Sequence, residues 1–107
     1  MKEHYHHGNL KKELIEVGIQ IISEKGFEQL SLRNISKQCG VTHNAIYRHF
    51  ENKEKMIDCC QEYVTENITN YLKKSIEGLD ISEIDTLNKF GYAYISFYKK
   101  YPTYFSF

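Results

Sequence analysis

Five polar side chains with well-defined hydrogen-bonding geometry lie between residues 43 and 49. They are His43, Asn44, Tyr47, Arg48 and His49. An asparagine amide can pair with N6 and N7 of adenine, and an arginine guanidinium can bind O6 and N7 of guanine through two parallel hydrogen bonds. Tyrosine and histidine, together with the nearby Lys53, can donate hydrogen bonds to phosphate oxygens. These residue types therefore predict contacts with the bases and the backbone of double-stranded DNA.

The other reactive side chains do not form an active site in the sequence. There is no Gly-rich phosphate loop, no carboxylate pair beside a histidine and no nucleophile motif. His4, His6 and His7 lie close together but lack a cysteine partner at zinc-finger spacing, and an arm near the DNA backbone or a lead-in to the first helix is the favoured interpretation. Cys39 with a histidine of the 43–49 segment would make a thiol–imidazole pair, but its apolar position favours core packing. We expect no enzymatic activity, no metal and no cofactor.

Two short predicted helices joined by a turn position the polar segment. Ser31 is expected to cap a helix over residues 32–38, and Thr42 to cap another over about residues 44–50. Gly40, between them, supplies the positive φ that a tight reversal needs. A helix of about eight residues is about 12 Å long, which suits the major groove of B-DNA. This arrangement is a helix-turn-helix.

A longer helix is predicted before this pair. Its apolar face repeats at helical spacing at Leu10, Leu14, Val17 and Ile21. Asn9 is expected to cap the helix and Gly26 to end it, with Phe27 filling the core behind it. Gly18 lies inside the pattern at a cost of about 1 kcal/mol relative to alanine, and we expect another helix to approach closely there.

Two more helices are predicted after the pair, which makes the fold class all-α. The first begins after Asn52, ends near Gly78 and has an inner side formed by Ile57, Cys60, Val64, Ile68, Tyr71 and Leu72. The second begins at Asp80 or Ser82 and ends before Pro102. Its apolar positions are Ile84, Leu87, Tyr94, Phe97 and Tyr98.

The composition is that of an ordinary soluble chain. The 107 residues carry 14 Lys and Arg against 14 Asp and Glu, so any DNA binding must come from a local surface rather than from bulk charge. No apolar run approaches the roughly 18 residues of a membrane-spanning helix, and residues 1–9 are no signal peptide. Three cysteines, an odd number, suit a reducing compartment. We therefore expect a cytoplasmic protein with no membrane partner.

Aromatic residues divide the chain into two zones near residue 60. Four of the fifteen lie in the first 60 residues and eleven lie in the remainder. The later aromatics are expected to pack in a core with tyrosine hydroxyls at its rim. An alternative role is a pocket for a flat or hydrophobic ligand.

Four segments of the sequence resemble the pattern of a known protein family, and their spacing matches that pattern without interruption. They are LSLRNIS at 30–36, CGVT at 39–42, AIYRHF at 45–50 and NKE at 52–54. Together with YHHGNL at 5–10, they make residues 5–60 similar to the DNA-binding domain of TetR-family transcriptional regulators. The resemblance implies that the third helix is the recognition helix. Asn44 and Arg48 then match positions that approach base edges, as Arg33 does in some relatives. The positions matching phosphate contacts are Ser31, Thr42, Tyr47, His49 and Lys53, and His43 completes the DNA-binding set.

The same resemblance implies the organisation of the whole protein. Residues 1–51 would form the helix-turn-helix DNA-binding domain, and residues 52–107 the start of an effector-binding and dimerisation domain that ends early, at Phe107. The full-length protein would be a homodimer on a near-palindromic operator, acting as a repressor that a small hydrophobic or aromatic effector releases. The alternatives are a helix-turn-helix protein that shapes or processes DNA without an effector, and a helical protein-interaction module without sequence-specific DNA binding.

Several residues have a second interpretation from the sequence alone. Tyr47 can be an ordinary half-buried tyrosine, and Arg33 and Arg48 can be solvated surface charges. His49 can be a capping or core histidine. The adjacent thiols of Cys59 and Cys60 can form a redox sensor, although burial on the long helix is the default for one of them.

Overall fold

The computed structural model of the chain describes residues 9–80 and 82–107, and these residues form helices and connecting turns without any strand. The helices are α1 (Leu10–Lys25), α2 (Leu32–Cys39), α3 (His43–Tyr47), α4 (Lys53–Ser75) and α5 (Ile84–Lys100). Two short 3₁₀ helices lie at Phe27–Gln29 and Pro102–Ser106. The all-α fold class is confirmed.

The chain forms two compact units whose boundary lies inside α4. The first unit extends to Gln61 and the second begins at Glu62. The aromatic composition changes at the same place, near residue 60. The functional division, into a DNA-binding domain at residues 1–51 and the start of an effector-binding and dimerisation domain at residues 52–107, stays a prediction.

Four helices contribute fully buried side chains to the core of the first unit. Leu14 of α1, Ile35 of α2, Ile46 of α3, and Met56 and Cys60 of α4 are each 0% exposed. Burying an aliphatic side chain of this size contributes about 1.5–3 kcal/mol to folding. The predicted recognition helix, α3, is therefore attached to a well-packed core through Ile46.

The close approach predicted at Gly18 is confirmed. A Cβ built there would lie 2.9 Å from Met56 Cε and 3.4 Å from Cys60 Sγ. The Cys60 thiol also approaches the backbone of α1, with Sγ 3.8 Å from the Ile15 carbonyl oxygen. The missing side chain of Gly18 thus lets the start of α4 lie directly on α1.

Two details of α1 differ from the prediction. Asn9 precedes the helix, but its side chain makes no capping hydrogen bond within the described chain. Phe27 does not fill the core: it begins the 3₁₀ turn directly after Gly26 and is exposed. Leu30, which follows that turn, is 2% exposed and occupies the core instead.

The second unit is organised around Phe97 of α5, which is 1% exposed. Its ring lies 5.3 Å from that of Tyr71 on α4, 5.0 Å from that of Tyr101 and 5.8 Å from that of Tyr104, measured between centroids. Offset and edge-on contacts of this kind each add about 0.5–1.5 kcal/mol beyond burial. The predicted packing of the later aromatics is confirmed for this cluster.

The buried face of α5 is not the predicted one. Thr86, Ala93 and Phe97 are buried, whereas Ile84 and Leu87 are exposed.

The helix begins at Ile84, after a turn in which the Asp80 carboxylate accepts hydrogen bonds from the Ser82 amide at 3.0 Å and the Ser82 hydroxyl at 2.8 Å. These bonds lower the pKa of Asp80.

Candidate nucleic-acid interface

Local interactions build the predicted helix-turn-helix. The Asn34 amide donates to Ser31 Oγ at 3.0 Å, and the Ala45 amide donates to Thr42 Oγ1 at 3.2 Å. Each contact satisfies an N–H that a helix start leaves without a partner. Gly40 has φ 70° and ψ 30°, which is the left-handed conformation. Both caps and the glycine turn are confirmed.

The third helix is shorter than predicted. Regular α-helix covers only His43–Tyr47, which is about 7.5 Å of axis. The amides of His49 and Phe50 both donate to the Ile46 carbonyl at 3.0 Å, so the chain tightens by one residue after Tyr47. Arg48 keeps helical backbone angles, φ −72° and ψ −24°, and so continues the surface of the helix.

The polar and apolar sides of this segment separate as predicted. Ile46 is 0% exposed and Phe50 is 1% exposed, so they anchor the segment to the core. The polar set faces solvent, and its exposed members are His43, Asn44, Tyr47, Arg48 and His49. The alternative of a core histidine at position 49 is therefore wrong. We call this exposed set the recognition surface.

Aromatic contacts order part of the recognition surface. The His43 and Tyr47 rings meet edge-on with centroids 5.6 Å apart, while half of the Tyr47 surface stays exposed. The His49 ring lies 6.2 Å from the ring of Phe50, the buried anchor. The imidazoles therefore rest against neighbouring rings, and side chains held in this way lose less conformational freedom on binding.

The remaining predicted DNA-binding residues flank the recognition surface in sequence. Thr42 and Arg33 are exposed and Ser31 is half-buried. Lys53 is also half-buried, and its ammonium donates to the Glu28 carbonyl oxygen at 3.3 Å. This contact links the first turn of α4 to the 3₁₀ turn after α1, a link that no local sequence pattern indicates.

Sequence reasoning missed one cation beside this segment. Lys11 of α1 is exposed, and its Nζ lies 5.8 Å from the centroid of the Phe50 ring. A cation over an aromatic face is attracted by the ring, by about 0.5–1 kcal/mol at exposed sites. The two residues are 39 positions apart in the chain, so only the tertiary fold brings them together.

The helix-turn-helix region is similar to a known protein family. Residues 14–59, which include α2, the turn and α3, match the model of the bacterial regulatory proteins of the tetR family. Residues 14–59 are thus a segment of the TetR-family type. The match covers Gly18, both capping residues and the whole recognition surface.

Individual relatives agree with this assignment. The chain is 33% identical over 72 residues to the uncharacterized HTH-type transcriptional regulator YerO of Bacillus subtilis, covering 66% of this chain and 25% of that protein. It is 28% identical over 93 residues to the nucleoid occlusion factor SlmA of Actinobacillus pleuropneumoniae, covering 86% of this chain and 46% of that protein. The chain thus spans less than half the length of these relatives.

A solved structure shows the same fold. A protein from Shewanella sp. PV-4, assigned to the tetR family, superposes with a TM-score of 0.81 at 18% identity, covering 90% of this chain and 50% of that one. At this identity the likeness concerns the fold alone.

Two of the three thiols, those of Cys39 and Cys60, are held in the protonated form by their surroundings. Burial, with a smaller contribution from Cys59, raises the pKa of Cys60 to about 12. Burial and then the Glu13 carboxylate raise the pKa of Cys39. Because the thiolate is the reactive form, a thiol whose pKa is raised is a poor nucleophile at neutral pH. For Cys60 this argues against the redox interpretation of the Cys59–Cys60 pair.

The described parts of the chain offer neither a cluster of metal ligands nor a helix fit to span a membrane. No group of three or more metal-ligating side chains occurs there. His4, His6 and His7 lie outside the described residues. Among the helices described, none is both long and apolar enough to cross a membrane.

The second unit contains a groove between the end of α4 and α5. Its volume is about 730 Å³. Its lining residues are Tyr71, Lys74, Ser75, Asn88, Lys89, Tyr92, Ala93 and Ser96. Tyrosine rings and an alanine supply apolar wall, while the two lysines supply positive charge.

Proposed function

We propose that this chain is the DNA-reading part of a sequence-specific transcriptional regulator that acts as a repressor. The observation that carries the proposal is the orientation of α3. Ile46 and Phe50 hold the segment in the core, while Asn44 and Arg48 face solvent. The side chains with the geometry to read adenine and guanine are therefore presented outward from a rigid support.

The remaining side chains divide the work of binding. Asn44 and Arg48 read base edges, with Arg33 at the start of α2 as a further base contact. His43 completes the surface. The backbone phosphates are held by Ser31, Thr42, Tyr47, His49 and Lys53. Capping and phosphate binding are compatible at Ser31 and Thr42, because a helix start also presents free N–H groups to an anion.

The Lys53 assignment requires a second hydrogen bond from its ammonium. Its ammonium donates to the Glu28 carbonyl oxygen in the structure, and an ammonium has three donors. A phosphate oxygen can therefore be bound by a second N–H while the carbonyl contact persists. The carbonyl then orients Lys53 rather than removing it from the interface.

A homodimer would place two recognition surfaces in successive major grooves, about 34–36 Å apart, on a near-palindromic operator. The α4 helix runs from the first unit into the second. A small aromatic effector in the groove between α4 and α5 would favour another conformation of α4. In that conformation the distance between the two recognition surfaces no longer matches the spacing of the two half-sites. The DNA affinity then falls because the effector binds this conformation more tightly than the DNA-competent one. The ratio of these two effector affinities limits the size of the loss.

A salt titration tests the proposal. Binding sites are first selected from random duplexes with the full chain, and affinity is then measured against a selected and a scrambled duplex. A regulator shows a steep salt slope on both duplexes and a constant advantage for the selected sequence. If neither a slope nor an advantage is found, the chain is a protein-interaction module instead.

A second candidate is a TetR-family protein that binds DNA without an effector. It is favoured by the alignment to a nucleoid occlusion factor, which covers 93 residues and therefore continues past the 14–59 family match. Protection footprints across the genome separate the candidates. One or a few sites at promoters support the regulator, and many sites spread over the chromosome support the second candidate.

A further inference from the structure

The groove between the end of α4 and α5 has a covered floor and an exposed rim. Ala93 is buried on the floor, and Tyr71 is half-buried there. The Tyr71 ring rests against Phe97, the centre of the second unit, with centroids 5.3 Å apart. The exposed side chains of the rim are those of Lys74, Asn88, Lys89 and Tyr92. The groove therefore combines an anchored apolar floor with a rim that is mostly polar.

The size and the aromatic walls of the groove suit a small flat molecule. Its volume of about 730 Å³ lies within the range of small-molecule sites, which is about 300–1,000 Å³. Tyr71 belongs to α4 and Tyr92 to α5. A flat ring bound between the two helices can therefore contact one tyrosine ring from each of them.

The two helices run antiparallel along the groove. Tyr71 of α4 contacts Phe97 of α5. Ile76, which follows α4, lines a small apolar pocket with Thr86, which lies near the start of α5. Later positions on α4 therefore lie level with earlier positions on α5, and both lead towards the connection between the two helices.

This arrangement collects positive charge at one end of the groove. Lys74 follows Tyr71 by three positions on α4, towards the connection. Lys89 precedes Ala93 by four positions on α5, and so it is displaced towards the same connection. Asn88, beside Lys89, adds an amide at this end. The groove thus has a cationic end near the connection and an aromatic end around Tyr71.

The charge of the lining has one sign. Its eight described residues include two lysines and no aspartate or glutamate. The Ser75 hydroxyl already donates to the Leu72 carbonyl oxygen at 2.7 Å. The donors available at the cationic end are therefore the ammonium groups of Lys74 and Lys89 and the amide of Asn88. A carboxylate accepts such charge-assisted hydrogen bonds, whereas a cationic ligand would meet like charge.

We propose, resting on the effector site of the proposed function, that the groove binds a flat aromatic acid. Its carboxylate lies between Lys74 and Lys89, and its ring lies between Tyr71 and Tyr92. A neutral aromatic molecule of the same shape fills the same space without pairing the two charges. The lysines therefore select the acid over its neutral analogue.

Cinnamate and cinnamamide test the charge requirement. Both are flat and share one aromatic skeleton, but the first carries a carboxylate and the second a neutral amide. Heteronuclear NMR titration of the isotope-labelled 107-residue chain measures the affinity and the location of binding together. Cinnamate should shift the backbone amide resonances around Tyr71 and Ala93, and it should bind about tenfold more tightly than cinnamamide.

Two double variants of the chain test the role of the lysines. Lys74→Gln combined with Lys89→Gln should lower the affinity for cinnamate to that for cinnamamide and leave the affinity for cinnamamide unchanged. Lys73→Gln combined with Lys99→Gln removes the same charge from exposed positions of α4 and α5 outside the lining. This control should change neither affinity. Circular dichroism checks that each variant is folded.

Three results would overturn the proposal. They are equal affinities of the unaltered chain for the two probes, resonance shifts confined to residues outside the groove, and a control variant that weakens cinnamate binding as much as the groove variant does. The titrations contain no DNA. A failure here therefore leaves the result of the salt titration on DNA unaffected, and a chain that fails to bind DNA can still be scored for cinnamate binding.

Discussion

The two units of this chain use their apolar residues differently. In the first unit, helices α1 to α3 and the start of α4 bury Leu14, Ile35 and Ile46 completely, and the exposed side of α3 is polar. In the second unit, Ile84 and Phe105 are each more than 70% exposed. The first unit therefore buries its apolar side chains in a core of its own, whereas several apolar side chains of the second unit are exposed.

This difference follows from how many elements surround each helix. A buried core residue touches side chains on several sides, and the first unit supplies them from four helices. Among the described residues, the second unit packs α5 against the end of α4 and the short 3₁₀ helix at Pro102–Ser106. One side of α5 is then covered and the other is not. The proposed DNA-reading surface lies in the first unit, and the exposed apolar side chains lie in the second.

The sharpest test of the comparison is a pair of identical substitutions. Phe50→Ala removes a ring that is 1% exposed in the first unit, and we expect a loss of about 3–5 kcal/mol in the free energy of unfolding. Phe105→Ala removes a ring that is 74% exposed in the second unit and should cost about 1 kcal/mol or less. Urea denaturation followed by circular dichroism measures both. Equal losses would mean that the second unit is as tightly packed as the first.

A second pair compares the glycines. Gly18→Leu forces a large side chain against Met56 and should lower the free energy of unfolding by about 1–3 kcal/mol. Gly91→Leu meets open space and should leave the stability of the monomer the same or higher. Thermal unfolding at a concentration where the chain is monomeric gives the comparison. A destabilised Gly91→Leu variant would show that other side chains cover α5 at Gly91.

The reading role of the first unit is tested on DNA. Arg48→Ala should cost about 1–3 kcal/mol in binding and relax the preference at one base position. Lys73→Ala removes the same charge from α4 in the second unit and should leave sequence preference unchanged. Fluorescence anisotropy with single-base variants of the selected duplex measures both effects. If Arg48→Ala weakens all sequences equally, Arg48 contacts phosphate rather than a base.

A smaller effect is expected at Tyr47. Tyr47→Phe keeps the ring that meets His43 and removes only the hydroxyl, so the loss of DNA affinity should be about 0.5–1.5 kcal/mol and equal for all sequences. The same anisotropy measurement applies, with stability measured as a control. Unchanged affinity would mean that Tyr47 contributes only packing.

The smallest effect at neutral pH concerns Cys60. Its pKa is raised from 9.0 to about 12 by burial, so the folded state holds this proton more tightly than the unfolded state does. The resulting stability is fully present below pH 9 and is lost as the pH rises towards 12. Alkylation at pH 8 should accordingly modify the half-buried Cys59 much faster than Cys60. Mass spectrometry of peptides measures the two alkylation rates. Equal rates for Cys59 and Cys60 would contradict a closed core in the first unit.

The sequence by itself determined the features that depend on near neighbours. The caps at Ser31 and Thr42 and the left-handed Gly40 were predictable because each involves backbone within three or four residues. The same holds for the polar set on α3, since helical period alone separates it from Ile46. The fold class and the position of the recognition surface follow from these local rules.

Only the tertiary structure decided which apolar residues are covered and which distant groups meet. Thr86 rather than Ile84 is buried on α5, and Leu30 rather than Phe27 fills the core of the first unit. Lys53 meets the Glu28 carbonyl across 25 positions of the chain. Burial depends on which elements lie against a face, and helical period cannot say which of two apolar faces will find a partner.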